Sequence, residues 1–212
     1  MEFMFFGCHK FNQDLTSWGP YLSNVETANA LFHTASSFNN GSVAGASDRP
    51  LDWSFESLKN GNKMFKDCYS FNQPLNYWNG KLKNLTNISG MFDSALVFNQ
   101  NIDGWGPALS GVTTMERVFF QAHDFNQPIS SWDVRNVNSM EDMLTDPFFG
   151  PLAFSQANYD SALNSWANLA INVGVKTNVD LDVDATRSSA SVNAYNTLSN
   201  VYGWNITDGG LV

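Results

Sequence analysis

The feature that most constrains this chain is a motif that returns along it in register. Phe-Asn-Gln, an aliphatic residue and then Trp occur as Phe11-Asn12-Gln13 to Trp18, Phe71-Asn72-Gln73 to Trp78, Phe98-Asn99-Gln100 to Trp105, and Phe125-Asn126-Gln127 to Trp132. The Phe-to-Trp distance is 7 in all four copies. An interrupted copy runs from Phe38-Asn39-Asn40 to Trp53, and a degenerate one begins at Phe154-Ser155-Gln156. The leading Phe residues are spaced 27, 33, 27, 27 and 29 apart. A period in this range is the mark of stacked supersecondary units that bury a core only against their neighbours.

A second signature lies between the copies. Leu85, Ile88, Met91, Phe92 and Ala95 are apolar, and Val112, Met115, Val118, Phe119 and Ala122 repeat them. Leu58, Gly61, Met64, Phe65 and Cys68, then Val25, Ala28, Leu31, Phe32 and Ala35, and Val137, Met140, Met143 and Leu144, follow the same rule. The spacing i, i+3, i+6, i+7, i+10 predicts a short amphipathic helix. Asn24, Ser57, Asn84, Gly111 and Asn136 precede the stripes and are residue types favoured at N-caps. The Leu/Ile-x-x-Trp piece predicts a short strand. The expected fold is therefore an α/β repeat solenoid, leucine-rich-repeat-like. Each repeat of about 27 residues has one short parallel β-strand and one short α-helix, with a C-terminal α/β cap. At about 4.8 Å per rung, five to six rungs make a body about 25–30 Å long.

The irregular spacings place insertions in loops, chiefly at 40–50 and around Asp146–Pro151. One defect is left: Leu51 and Trp53 are two apart where other copies have three. Residues 1–154 read as the repeat array and 155–212 as a capping unit. In the latter, helical patterning covers 157–171 and 188–201, and strand-like segments fall at 179–184 and 204–207. At the other end Met1, Met4, Phe5 and Cys8 enter in mid-repeat, which fits a fragment of a longer chain better than an end covered by another chain.

Composition narrows the function. Of 212 residues 43% are hydrophobic and 15% charged, with net charge −9. The polar surface is built from Asn, Ser, Thr, Gln and Gly, and its charge repels phosphate backbones, so nucleic acid is not an expected partner. No run of about 18 apolar residues exists to span a membrane.

The units Phe125-Asn-Gln-Pro-Ile-Ser-Ser-Trp-Asp-Val-Arg-Asn-Val-Asn-Ser-Met140 and Met91-Phe92 resemble the leucine-rich-repeat-like family of BspA-type surface proteins. Tyr159–Trp166 and Tyr202–Gly210 look like that family's closing unit. The resemblance implies an extracellular or cell-surface role in adhesion, or display on a virion surface.

Phased columns explain most conspicuous residues. Phe11, Phe38, Phe71, Phe98 and Phe125, with Trp18, Trp53, Trp78, Trp105 and Trp132, are expected to form a stacked core ladder rather than sugar-binding platforms. Asn12, Asn39, Asn72, Asn99 and Asn126 are expected to satisfy turn backbone between rungs. Cys8 and Cys68 share a repeat position two rungs apart, roughly 10 Å, beyond disulfide reach; both read as small buried thiols. His9, His33 and His123 are scattered. No zinc, nucleophile or cofactor motif occurs, so neither an enzyme nor a bound cofactor is expected.

Asp180, Asp182 and Asp184 are the weak calcium candidates. Ala185 and Ser191 stand where an EF-hand needs Gly and Glu, so a solvated strand edge is the favoured reading. Sequons occur at Asn40, Asn84, Asn87 and Asn205. The 40–50 insertion, with Ser42, Asp48 and Arg49, is the candidate binding loop, although a tolerated surface loop is the simpler reading. The function expected is a non-enzymatic surface-displayed recognition or adhesion module taking a protein or glycan ligand. The alternative is a structural subunit of a virion or appendage, its N-terminal end packed on neighbouring subunits. If the three aspartates do not hold calcium, adding calcium leaves the melting temperature unchanged; a calcium-dependent rise contradicts that reading.

Overall fold

The computed structural model describes residues 1–212. From residue 1 to 138 it contains no α-helix. The segments carrying the i, i+3, i+6, i+7 stripe are chains of tight turns that join their neighbours through a parallel ladder. Isolated parallel bridges link Thr27 to Asn60, Asn60 to Asn87, Asn87 to Thr114 and Thr114 to Ser139. In the second rung the N–H groups of Ala28, Ala30, Phe32 and Thr34 donate to the carbonyls of Asn60, Asn62, Met64 and Lys66 at 2.8–2.9 Å. The intervening N–H groups close turns inside the rung, as Leu31 to Ala28 at 3.1 Å and Ala35 to Phe32 at 2.8 Å. The same alternation continues through Lys63, Phe65 and Asp67, then Gly90, Phe92 and Ser94, then Arg117, Phe119 and Gln121.

This overturns the expected helix and its N-caps. Two residues per rung, four apart, take left-handed backbone: Ala30 and Thr34, Lys63 and Asp67, Gly90 and Ser94, Arg117 and Gln121, with φ of 50–61°. An α-helix cannot contain such residues. A turn closed every two residues, with the hand reversed between turns, returns side chains to the core at nearly the helical period, which is why the pattern reads as a helix. Asn84 and Asn136, placed as caps, instead donate side-chain N–H to Glu56 and Ser110 carbonyls of the preceding repeat at 2.8 Å.

The expected strand is also replaced. The Leu/Ile-x-x-Trp pieces are 3-10 turns, at Thr16–Tyr21, Asn76–Trp78 and Asp103–Gly111. Trp18, Trp78 and Trp105 each donate their backbone N–H to the aliphatic residue three positions back at 3.0 Å, and a spacing of three is the 3-10 period. At Leu51 and Trp53 the turn shortens by one residue, with Trp53 N–H donating to Leu51 at 2.8 Å. Phe55 then fills the space left in the Trp column, packing edge-on against Trp53 at 5.4 Å and Trp78 at 5.1 Å.

The core is a set of columns. Phe5, Phe32, Phe65, Phe92 and Phe119 stack at centroid spacings of 5.3, 5.6, 5.7 and 5.7 Å. Phe11, Phe38, Phe71, Phe98, Phe125 and Phe154 stack beside them at 5.8–6.2 Å. Within a rung the two rings lie 3.8–4.1 Å apart. The Trp residues add a polar tie. The indole N–H groups of Trp53, Trp78, Trp105 and Trp132 donate to the carbonyls of Leu15, Leu51, Leu75 and Ile102 in the preceding repeat, at 2.8–3.4 Å.

The C-terminal unit continues the same sheet. Strand β1 (Ser139–Leu144) pairs in parallel with β2 (Asp180–Val183), and β2 with β3 (Asn205–Thr207). Helix α1 (Gln156–Asn172) connects the first pair and α2 (Val192–Asn196) precedes β3. α1, β2, α2 and β3 fall where the sequence patterning placed them, whereas β1 occupies the stripe of Val137, Met140, Met143 and Leu144 expected to be a helix. Ser155 caps α1, accepting from the Asn158 N–H at 3.3 Å. One contiguous apolar cluster runs from Leu15 to Trp204, so the two units share a core.

Lys63 separates this backbone from a helix by sign. Its side chain is exposed and its φ is 53°, so Lys63→Gly removes left-handed strain and raises stability by up to about 1 kcal/mol. In a helix the same change costs about 1 kcal/mol. Urea unfolding reads the sign.

Candidate functional site

The ladder presents one polar face. Side chains of Asn62, Lys63 and Lys66, of Asn87, Ser89 and Asp93, and of Thr114, Glu116 and Arg117 line an open groove of about 700 Å³ across three rungs, floored by Gly90. None of its lining residues is hydrophobic. Asp93 is its buried pivot, with 2% of its surface exposed. It takes Lys66 Nζ at 2.6 Å, Arg117 Nε at 3.2 Å and the Ser94 hydroxyl at 2.9 Å. Arg117 also reaches Asp142 at 3.0 Å and lies 3.4 Å over the Phe120 ring. Asp93 thus fixes one ammonium and one guanidinium while leaving them partly open to solvent, and Lys63 stands exposed beside them. The groove offers cations, amides and hydroxyls to a ligand's oxygens.

The stripe continues beyond the groove on both sides. His33 lies 3.3 Å from Asp67. Burial lowers its pKa from the ordinary histidine value, and the Asp67 carboxylate counters this only in part. His123 bonds Asp146 at 2.7 Å, and Asp146 accepts from Gln121 and from the Phe148 and Phe149 N–H groups. No such network was legible in the sequence, because it joins residues about 27 apart through a register set by the ladder. Once the turn register is known, the charged positions follow from the repeat phase.

The Asn column lies along another edge. Asn12, Asn39, Asn72 and Asn99 accept, through Oδ1, the backbone N–H of the next Asn in the column at 2.8–3.0 Å. Asn126 accepts the Ser155 N–H at 2.9 Å. Asn72 and Asn99 also accept the side chains of Gln100 and Gln127 at 2.9 Å, which accounts for Gln in the motif. The Phe and Trp series lies inside the core: of the ten residues expected there, Phe11 and Trp18 are half-buried and the rest are buried.

The 40–50 insertion is closed on itself. Ser42 bonds Asp48, Asn39 donates to the Ala46 carbonyl at 3.0 Å, and Asn40 donates to the Arg49 carbonyl at 2.9 Å. Arg49 donates its N–H to Gln73 at 2.7 Å and pairs with Asp14 at 3.3 Å. Ser42, Asp48 and Arg49 are therefore used in shaping the loop. The Asn40 sequon is buried, with its amide engaged. The thiols need a correction: Cys68 is buried, with its pKa raised by burial, but Cys8, in the first rung described, is exposed.

Of the three aspartates of 180–184, Asp180 is exposed and Asp182 and Asp184 are partly buried. Asp182 and Asp184 accept the N–H groups of Asp142 and Asp146 at 3.0 and 2.7 Å, and Asp180 accepts the Asn205 amide at 3.0 Å. In inner rungs these two N–H positions donate to carbonyls of the next rung; here the carboxylates take them, while the backbone pairing continues through β2 and β3. Asp184 has a raised pKa, chiefly from burial, with repulsion from Asp146 and Asp142 adding to it. Asp160 is opposite: burial raises its pKa, but bonds from Ser188 and Ser191 outweigh that and hold it below the usual value.

The polar ladder face is built from side chains of successive repeats joined by the parallel bridges. The family described as "Mycoplasma protein of unknown function, DUF285" matches residues 1–44 and 46–166. The chain belongs to that family. No curated protein and no solved structure was found to match it. No helix is long and apolar enough to cross a membrane.

Asp160 and Asp184 give opposite predictions. Asp160 has a lowered folded pKa, so its contribution is present above its unfolded value of about 3.9 and is lost as pH falls through the folded value. Asp160→Asn therefore costs about 1–3 kcal/mol at pH 7. For Asp184 the sign reverses: ionisation above the unfolded value costs stability, so Asp184→Asn leaves the melting temperature at pH 7 unchanged or raises it. Thermal unfolding of both variants from pH 3 to 7 reads this.

Proposed function

We propose that this chain is a non-enzymatic recognition module: a repeat solenoid of the BspA-like kind, displayed outside the cell, that binds a protein or glycan through its ladder face. The carrying observation is the Lys66–Asp93–Arg117 network, which holds two cations in fixed positions across three rungs. In a chain of net charge −9, a local group of Lys63, Lys66 and Arg117 favours an acidic peptide segment or acidic glycan. The surrounding amides and hydroxyls suit the remaining ligand oxygens.

A panel of acidic glycans and host-matrix proteins tests this reading. Binding is expected to weaken at least tenfold, equivalent to about 1.4 kcal/mol, in the Lys66→Ala, Arg117→Ala double variant, and to fall with added salt. A panel that stays negative at high protein concentration contradicts it.

A further inference from the structure

We infer that the pocket where the third, fourth and fifth rungs meet the 146–151 insertion binds a neutral sugar ring of a glycan. This goes beyond the acidic-ligand groove of the proposed function, with which the pocket shares no lining residue. The pocket holds about 350 Å³, within the size range of small-ligand sites.

Its walls come from the ladder register. Asp67, Ser94 and Gln121 share one repeat position, all in left-handed backbone with φ of 55–58°. Their N–H groups donate to the carbonyls of Asp93, Phe120 and Thr145 at 2.7–3.0 Å, which keeps the three rungs in step. Two residues on, Tyr69, Leu96 and His123 form a second column along the pocket. Neither column repeats its residues. In the first two rungs the same positions carry Gly7 and Thr34, and His9 and Ser36. The packing that fixes the Phe, Trp and Asn columns does not fix these.

The insertion closes the far end. Asp146 is buried. It accepts the Phe148 and Phe149 N–H groups at 3.0 and 3.2 Å and the Gln121 amide at 3.3 Å, and bonds His123 Nε2 at 2.7 Å. One carboxylate therefore fixes both the backbone that carries the Phe149 ring and two polar groups of the wall. The Ser94 hydroxyl extends this chain, 3.2 Å from Gln121 Oε1. Phe149 itself is 80% exposed and Tyr69 46%. Core packing does not account for a buried carboxylate that anchors an exposed ring.

The chemistry selects the occupant. Each polar group keeps spare capacity: one amide proton on Gln121, a lone pair on Ser94, Nδ1 on His123 and Oδ1 on Asp67. This mixture of donors and acceptors suits hydroxyl groups, which are both. A ligand ammonium could not use the Gln121 N–H. A ligand carboxylate would meet Asp67 with no Lys or Arg on the wall to offset it. The faces of the Tyr69 and Phe149 rings carry partial negative charge, which suits the C–H face of a pyranose. Because the wall is fixed before binding, little side-chain freedom is lost there.

An array of neutral di- to hexasaccharides of hexoses and N-acetylhexosamines, followed by titration against the full chain, tests this. At least one is expected to bind saturably and to shift the Gln121 side-chain amide resonances in NMR. Tyr69→Ala and Phe149→Ala should each weaken that binding at least tenfold. Both rings are exposed, so the melting temperature should not change. Phe148→Ala, exposed but outside the pocket, should leave binding intact. So should the Lys66→Ala, Arg117→Ala double variant, which separates this site from the groove. No binding of any neutral glycan at millimolar concentration overturns the inference. Binding that survives both ring variants, or that the Lys66 and Arg117 double variant abolishes, does the same. Capture of peptides but of no sugar also overturns it.

Discussion

Everything in the array depends on the hydrogen bond from an N–H in one rung to a carbonyl about 27 residues later. Such a bond costs its local chain the chance to form a helix, because every second N–H leaves the rung and the backbone must reverse hand to aim it. The strain of left-handed Ala30, Thr34, Lys63, Asp67, Ser94, Arg117 and Gln121 is offset only because the aromatic columns hold neighbouring rungs in contact. The ladder and the columns are therefore one device. Phe rings stacked at 5.3–5.7 Å set a spacing at which backbone bonds of 2.8–2.9 Å form, and indole and Asn side chains tie the turns on either side.

The repeat, its period, its core columns and the C-terminal elements were legible in the sequence because they are expressed in residue identity. Phe, Trp and Asn recur in phase, and the alternation of Val179, Leu181 and Val183 with Asp180, Asp182 and Asp184 marks a strand by its period alone. The backbone between them was not legible. Inward positions of alternating turns fall at i, i+3, i+6 and i+7, as those of a helix do, and Leu-x-x-Trp fits a 3-10 turn as well as a strand. A hint was Gly90, a glycine inside a stripe where the other copies carry Ala30, Lys63 and Arg117. Glycine is a poor helix residue and a natural occupant of left-handed backbone.

The groove was invisible for a related reason. Lys66, Asp93 and Arg117 are unremarkable singly, and only the register makes them neighbours. The aspartates of β2 show the converse. Their alternation with Val179, Leu181 and Val183 correctly puts them on one face of a strand, yet that face meets the last rung, whose N–H groups need acceptors. Side-chain carboxylates thus take the place of two backbone acceptors where the array passes into β2.

The most direct measurement of the central claim is scalar coupling across hydrogen bonds by NMR. Coupling is predicted between the amide nitrogens of Phe32, Phe65 and Phe92 and the carbonyl carbons of Met64, Met91 and Val118. Coupling from those nitrogens to carbonyls four residues earlier in the chain would mean helices in place of rungs and would contradict the account.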